Sequence, residues 1–177
     1  MYRILIIDDE ASLREFLEIF LKSAGYETET SPSAEHAFER LRMQEFDLVI
    51  TDLKMPGASG IEVLERTKEL WPETQVVVMT AFSTTETAVE AMKKGAYDYI
   101  SKPFKVDAIR VIIERALERR QLSLRVQHLS GELRERYGFH NIIGRSPQMR
   151  QLFEMISRVA RSRTSVLISG DSGTGKE

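Results

Sequence analysis

Over the first ~105 residues, short apolar runs alternate with longer stretches whose apolar residues recur every three or four positions. Residues 3–7 (RILII) predict a buried strand. Residues 11–24 carry Leu13, Phe16, Leu17 and Phe20 at helical spacing, and Gly25 supplies a natural stop. Residues 26–30 predict a strand of edge character, and residues 34–43 a helix capped by Ser33. Residues 47–51 (DLVIT), 75–79 (QVVVM) and 97–100 predict three more strands. Residues 61–70, ended by Trp71 and Pro72, and residues 85–93 predict helices, and a long helix begins near Val106.

Strands alternating with helices predict an α/β fold with a parallel sheet covered on both faces. Five units are too few for an eight-fold barrel, so the expected architecture is a doubly wound, flavodoxin-like sheet of order 2-1-3-4-5. Residues 1–120 form this first domain, and residues 106–137 the long helix and linker. Leu122, Val126, Leu129 and Leu133 step by four, three and four, as in a coiled-coil seam. Ile109, Ile113 and Ala116 make a similar seam earlier, with Arg119 and Arg120 interrupting the join. Arg115, Arg119, Arg120 and Arg125 suggest that the other faces are solvated, which favours pairing between two chains over packing on the chain's own domain. Gly138 and the polar turn near Asn141 end the helix. Residues 147–159 predict another helix, and residues 165–169 (SVLIS) a strand feeding a terminal glycine-rich loop.

Composition narrows the function classes. The 25 basic residues against 27 acidic ones give no global basic charge for nucleic-acid binding. The chain has no cysteine, which excludes disulfides and thiolate metal sites. No apolar run approaches a membrane span and no signal-peptide pattern opens the chain, so a cytoplasmic location without membrane contact is expected.

The candidate chemistry gathers at strand ends. Asp8 and Asp9 follow the first strand, Asp52 the third, Thr80 the fourth and Lys102 the fifth. In an open parallel sheet, sites form beyond the carboxyl ends of the strands, where strand order reverses. In the expected order that point lies between strands one and three. Close carboxylates repel one another, and a hard divalent cation such as Mg²⁺, which takes oxygen ligands, relieves the repulsion. A carboxylate left reachable beside the metal can accept a phosphoryl group. A lysine and a hydroxyl, here Lys102 and Thr80, are suited to holding the other oxygens. The plainer alternative makes the acids at residues 8–10 a helix cap, Asp52 a turn residue and Lys102 a surface charge.

The segments ILIIDDE, LVITDLKMPGASGIE, VVVMTAF and GAYDYISKPF resemble the receiver domain of bacterial two-component response regulators. The resemblance implies Asp52 as the phosphoacceptor. It implies Mg²⁺ held by Asp9, Asp52 and the backbone carbonyl of Lys54, with Asp8 acting through water. It makes Thr80 the hydroxyl that follows the phosphoryl group, Lys102 its counter-charge, Tyr99 the switch aromatic and the bond before Pro103 cis. Ala81 is small, as access to an acyl phosphate requires.

The final loop (Gly170, Asp171, Ser172, Gly173, Thr174, Gly175, Lys176, Glu177) fits the phosphate-binding pattern G-x-x-x-x-G-K after an apolar run. Glu177 replaces the usual Ser or Thr. With IIGRSPQM at residues 142–149, residues 139–177 resemble the opening of an AAA+ domain of NtrC-type sigma-54 activators. ATP binding is then expected only within a complete AAA+ domain. The metal-binding strand, arginine finger, sigma-contacting loop and DNA-binding helices are not among these residues. The chain itself is therefore expected to be no enzyme beyond Mg²⁺-dependent self-phosphorylation. The implied partners are a sensor histidine kinase and a second copy of the chain. Sigma-54 RNA polymerase and promoter DNA would be reached through the absent domains. The alternatives are a stand-alone receiver and dimerisation module without ATPase output, or a phosphohydrolase. The last is disfavoured because Lys54 stands where such enzymes place a second carboxylate.

Overall fold

The structure is a computed structural model that describes residues 1–81, 85–137, 146–160, 165 and 167. The expected turn after the long helix, most of the expected strand over residues 165–169 and the loop over 170–177 lie outside the described residues. The chain divides into two compact units, Met1–Val126 and Gln127–Glu177.

In the first unit, β1 (Arg3–Ile7), β2 (Glu27–Ser31), β3 (Leu48–Asp52), β4 (Gln75–Thr80) and β5 (Asp98–Ser101) form one parallel sheet. Its order is β2-β1-β3-β4-β5, the expected doubly wound arrangement. Side chains alternate across a strand, so each apolar run supplies both faces. Ile4, Ile6, Leu48, Ile50, Val77 and Met79 meet α1 (Ala11–Ser23) and α5 (Val106–Tyr137). Leu5, Ile7, Val49, Val76 and Val78 meet α2 (Ala34–Met43), α3 (Gly60–Leu70) and α4 (Thr85–Lys93).

Local signals fix the helix ends. Ser33 caps α2 by accepting the His36 N–H. Ser59 and Glu62 form a reciprocal capping box at α3. Gly25 takes a φ of +87° just past α1, a conformation that glycine adopts without steric cost.

Four strands run one residue further than their apolar runs suggest. Leu53 N–H donates to Met79 O at 2.8 Å and Lys102 N–H to Thr80 O at 2.7 Å, so ladder bonding continues through polar residues. Asp52 and Thr80 are accordingly the last residues of β3 and β4 rather than the first of the loops.

The helix α5 corrects two expectations. Ile109, Ile113 and Ala116 are buried against the sheet and are core residues, not a pairing seam. Arg120 is buried at 8% exposure and pairs with Glu45 and Asp47, so it is not a solvated flank. Leu122, Val126 and Leu129 are 55%, 63% and 52% exposed. In the second unit, α6 (Pro147–Val159) starts at Ser146, which accepts the Met149 N–H, and has proline in its first turn.

Candidate functional site

The connection from β1 to β2 is α1 on one face of the sheet, and that from β2 to β3 is α2 on the other. A crevice therefore opens at the carboxyl ends of β1 and β3. Asp8 and Asp9 enter it just after β1, and Asp52 from the end of β3. Asp8 is fully buried, Asp52 is 8% exposed and Asp9 is exposed. Carboxylate oxygens of the three lie within 4.8 Å of one another.

Lys102, one residue past β5, bridges two of them. Its Nζ donates to Asp8 Oδ2 and to Asp52 Oδ2, each at 2.6 Å. Asp8 Oδ1 accepts the Glu10 N–H at 2.9 Å. Asp8 thus steadies the start of α1, while Glu10 makes no side-chain cap bond there. The capping alternative is therefore partly right, but the same carboxylate also binds Lys102 inside the crevice. Asp52 Oδ1 accepts the Lys54 N–H at 3.3 Å. Thr80 is buried at the end of β4, opposite Ser101. Ala81, next along, is exposed. Tyr99 lies opposite Val78 within β5 and is 40% exposed. The Lys102–Pro103 bond is cis.

Burial pushes the Asp8 carboxyl above its ordinary value, although hydrogen bonds from Lys102 and Glu10 oppose the rise. Burial alone would lower Lys102, but its bonds to Asp52 and Asp8 outweigh that and raise it. Two carboxylates at this separation repel by about 3 kcal/mol at an effective dielectric of about 20. Three carboxylates and one ammonium leave a net charge of −2. An all-oxygen donor set with that surplus fits a hard divalent cation such as Mg²⁺.

Three supporting residues are not evident from the sequence pattern. Arg14 Nη1, from the first turn of α1, donates to Asp8 O at 2.6 Å. Glu35, at the start of α2, accepts the Ala58 N–H at 3.3 Å and so holds the β3–α3 loop. Gly60 packs directly under the phosphoacceptor candidate: a Cβ there would lie 2.0 Å from Asp52 O and 2.9 Å from Asp52 C.

Residues 4–114 match the response regulator receiver domain. The chain belongs to the response regulators. In this response regulator, residues 142–177 also match the sigma-54 interaction domain, the combination found in the NtrC type. It is 37% identical to the regulatory protein AtoC of Escherichia coli over 175 residues, which is 99% of this chain and 38% of AtoC. The chain therefore spans well under half the length of that curated relative. A crystal structure of NtrX from Brucella abortus with ATP aligns at a TM-score of 0.70 and 35% identity, covering 90% of this chain and 34% of NtrX. The beryllofluoride-activated NtrC4 receiver domain, a dimer in solution, aligns at 0.65 and 33% identity, covering 68% of this chain and 99% of that one.

Proposed function

We propose that this response regulator takes a phosphoryl group onto Asp52 from a phosphohistidine of a sensor kinase and thereby controls a sigma-54-dependent activator in the cytoplasm. The carrying observation is the crevice in which Lys102 bridges Asp8 and Asp52 within reach of Asp9. A carboxylate oxygen of Asp52 bonds to phosphorus as the P–N bond breaks, and the imidazole nitrogen keeps the electron pair. Mg²⁺, held by Asp9, Asp52 and the Lys54 carbonyl with Asp8 through water, would neutralise charge on the transferring oxygens. Lys102 then holds a phosphoryl oxygen, and Thr80 turns its hydroxyl to another. Their movement, with that of Tyr99, is the switch.

The linker is read as the dimer contact, through Leu122, Val126, Leu129 and Leu133. Its support is the exposure of the first three. The match of residues 142–177 favours an activator over a stand-alone receiver. The nucleotide loop acts only with a complete AAA+ domain, so these 177 residues alone hydrolyse no ATP. ATP turnover lost in Lys176→Ala would contradict that. The phosphoacceptor is tested by treating the phosphorylated protein with borohydride, which reduces an acyl phosphate to an alcohol. Peptide mapping should find the reduced residue at position 52, and reduction elsewhere would overturn the assignment.

A further inference from the structure

The helix α5 carries two apolar stripes, and they do not share a face. Ile109, Ile113, Ala116 and Leu117 are buried against the sheet. At 3.6 residues per turn, Arg120 lies within about 60° of all four around the helix axis. Arg120 thus occupies the next position of the core stripe, where an apolar side chain would ordinarily stand. Leu122, Val126 and Leu129 lie about 180–240° round the axis from Arg120. Leu122 and Val126, which belong to the first unit, are more than half exposed, as expected for a stripe turned away from the sheet.

At the changeover, Arg120 grips the sheet's amino-terminal edge. Its Nη2 donates to Glu45 Oε1 at 2.5 Å, and its Nη1 to Asp47 Oδ1. Both carboxylates come from the connection between α2 and β3, and that connection is itself fixed. Asp47 Oδ2 accepts the Arg3 N–H at 2.6 Å, and Asp47 N–H donates to Arg3 O at 2.8 Å. Thr74 Oγ1 donates to Phe46 O at 2.6 Å, and Gln75 N–H to Asp47 O at 3.2 Å. The guanidinium therefore holds a point tied to β1 and β4, not a loose loop. One residue on, Gln121 Oε1 accepts the Tyr2 hydroxyl at 3.3 Å. A buried arginine bound to two carboxylates fixes direction as well as distance, because its fork is planar. The last fully buried apolar residue of α5 before it is Leu117, at 2% exposure.

We propose that Arg120 is a positioning residue that pins the rotation of α5 as it leaves the sheet, so that the stripe beginning at Leu122 faces away from its own receiver. Beyond Leu117 the next apolar residue on that face is Leu124, already 37% exposed, so without the pin little apolar burial holds the intervening turn against twisting or unwinding. The pin acts on residues 117–126 whether or not the stripe pairs with a second copy.

The test compares wild type, Arg120→Met and Arg120→Lys by amide hydrogen exchange. Methionine keeps the apolar stem but cannot bind the carboxylates. Exchange over residues 117–126 should rise at least tenfold in Arg120→Met, with little change over β1, β3 and β4. Arg120→Lys, which keeps one charged contact, should fall between the two. The double variant Glu45→Gln, Asp47→Asn should match Arg120→Met over the same segment. Phosphate uptake from a small phosphodonor should stay within twofold of wild type. Unchanged exchange over 117–126 in Arg120→Met would overturn the proposal. So would equal acceleration across the strands, which would make Arg120 a general stabiliser instead of a local pin.

Discussion

Replacing Gly60 with alanine probes how closely the phosphoacceptor is held. The added Cβ would stand 2.0 Å from Asp52 O, 2.9 Å from Asp52 C and 3.0 Å from Leu53 Cα, all backbone atoms. No side chain can swing aside to relieve such contacts. Either the start of α3 or the end of β3 must move by about 1 Å or more. Overpacking of this kind costs about 1–3 kcal/mol, and more where backbone must shift. Alanine's better helix propensity returns at most about 1 kcal/mol. A net loss of about 2 kcal/mol is expected. In function the effect should be larger, since a 1 Å misplacement at a reacting group can cost about 100-fold in rate. The assay pairs urea denaturation with the rate of Asp52 phosphorylation from a small phosphodonor. A Gly60→Ala protein as stable as wild type and phosphorylated at the wild-type rate would refute the reasoning.

Asp9→Ala should abolish Mg²⁺ binding, measured by calorimetry, and phosphate uptake with it; uptake at the wild-type rate would remove Asp9 from the metal site. Glu35 is held below its ordinary value by its own backbone N–H, by Ser33 and by the Ala58 N–H. Its stabilising contribution is therefore complete above the ordinary value of 4.5 and is lost as pH falls through the lower folded value. Urea titrations should show Glu35→Gln less stable than wild type at pH 7, with the gap closing as pH falls below 4.5 and through the lower folded value. Replacing both Val126 and Leu129 with Asp should give a monomer by sedimentation that still accepts phosphate; undiminished dimerisation would move the contact to a receiver face.

The elements and their order are legible because five apolar runs of strand length alternate with helical stripes, and a doubly wound sheet follows from that pattern. Asp8, Asp9, Asp52 and Lys102 are legible as a site for the same reason: strand ends of one parallel sheet must converge, whatever their separation in sequence. What escapes the sequence is contact without local periodicity. Arg120 reads like Arg115, Arg119 and Arg125, because Glu45 and Asp47 lie 75 and 73 residues away. Its one local signal is its spacing from Ile113, Ala116 and Leu117, which continues the core stripe. Gly60 reads as an ordinary helix-start glycine, and its contact with Asp52 O exists only once β3 and α3 are folded together. The strand ends differ by one residue because hydrogen bonding, not hydrophobicity, carries the ladder through Asp52 and Thr80.

The central claim is that Asp52 takes the phosphoryl group. Intact mass of wild type, Asp52→Ala and Asp52→Asn after incubation with a small phosphodonor and Mg²⁺ tests it most directly. One added phosphate on wild type, none on either variant and none on wild type with EDTA is the predicted result. Equal labelling of wild type and Asp52→Ala would contradict the account.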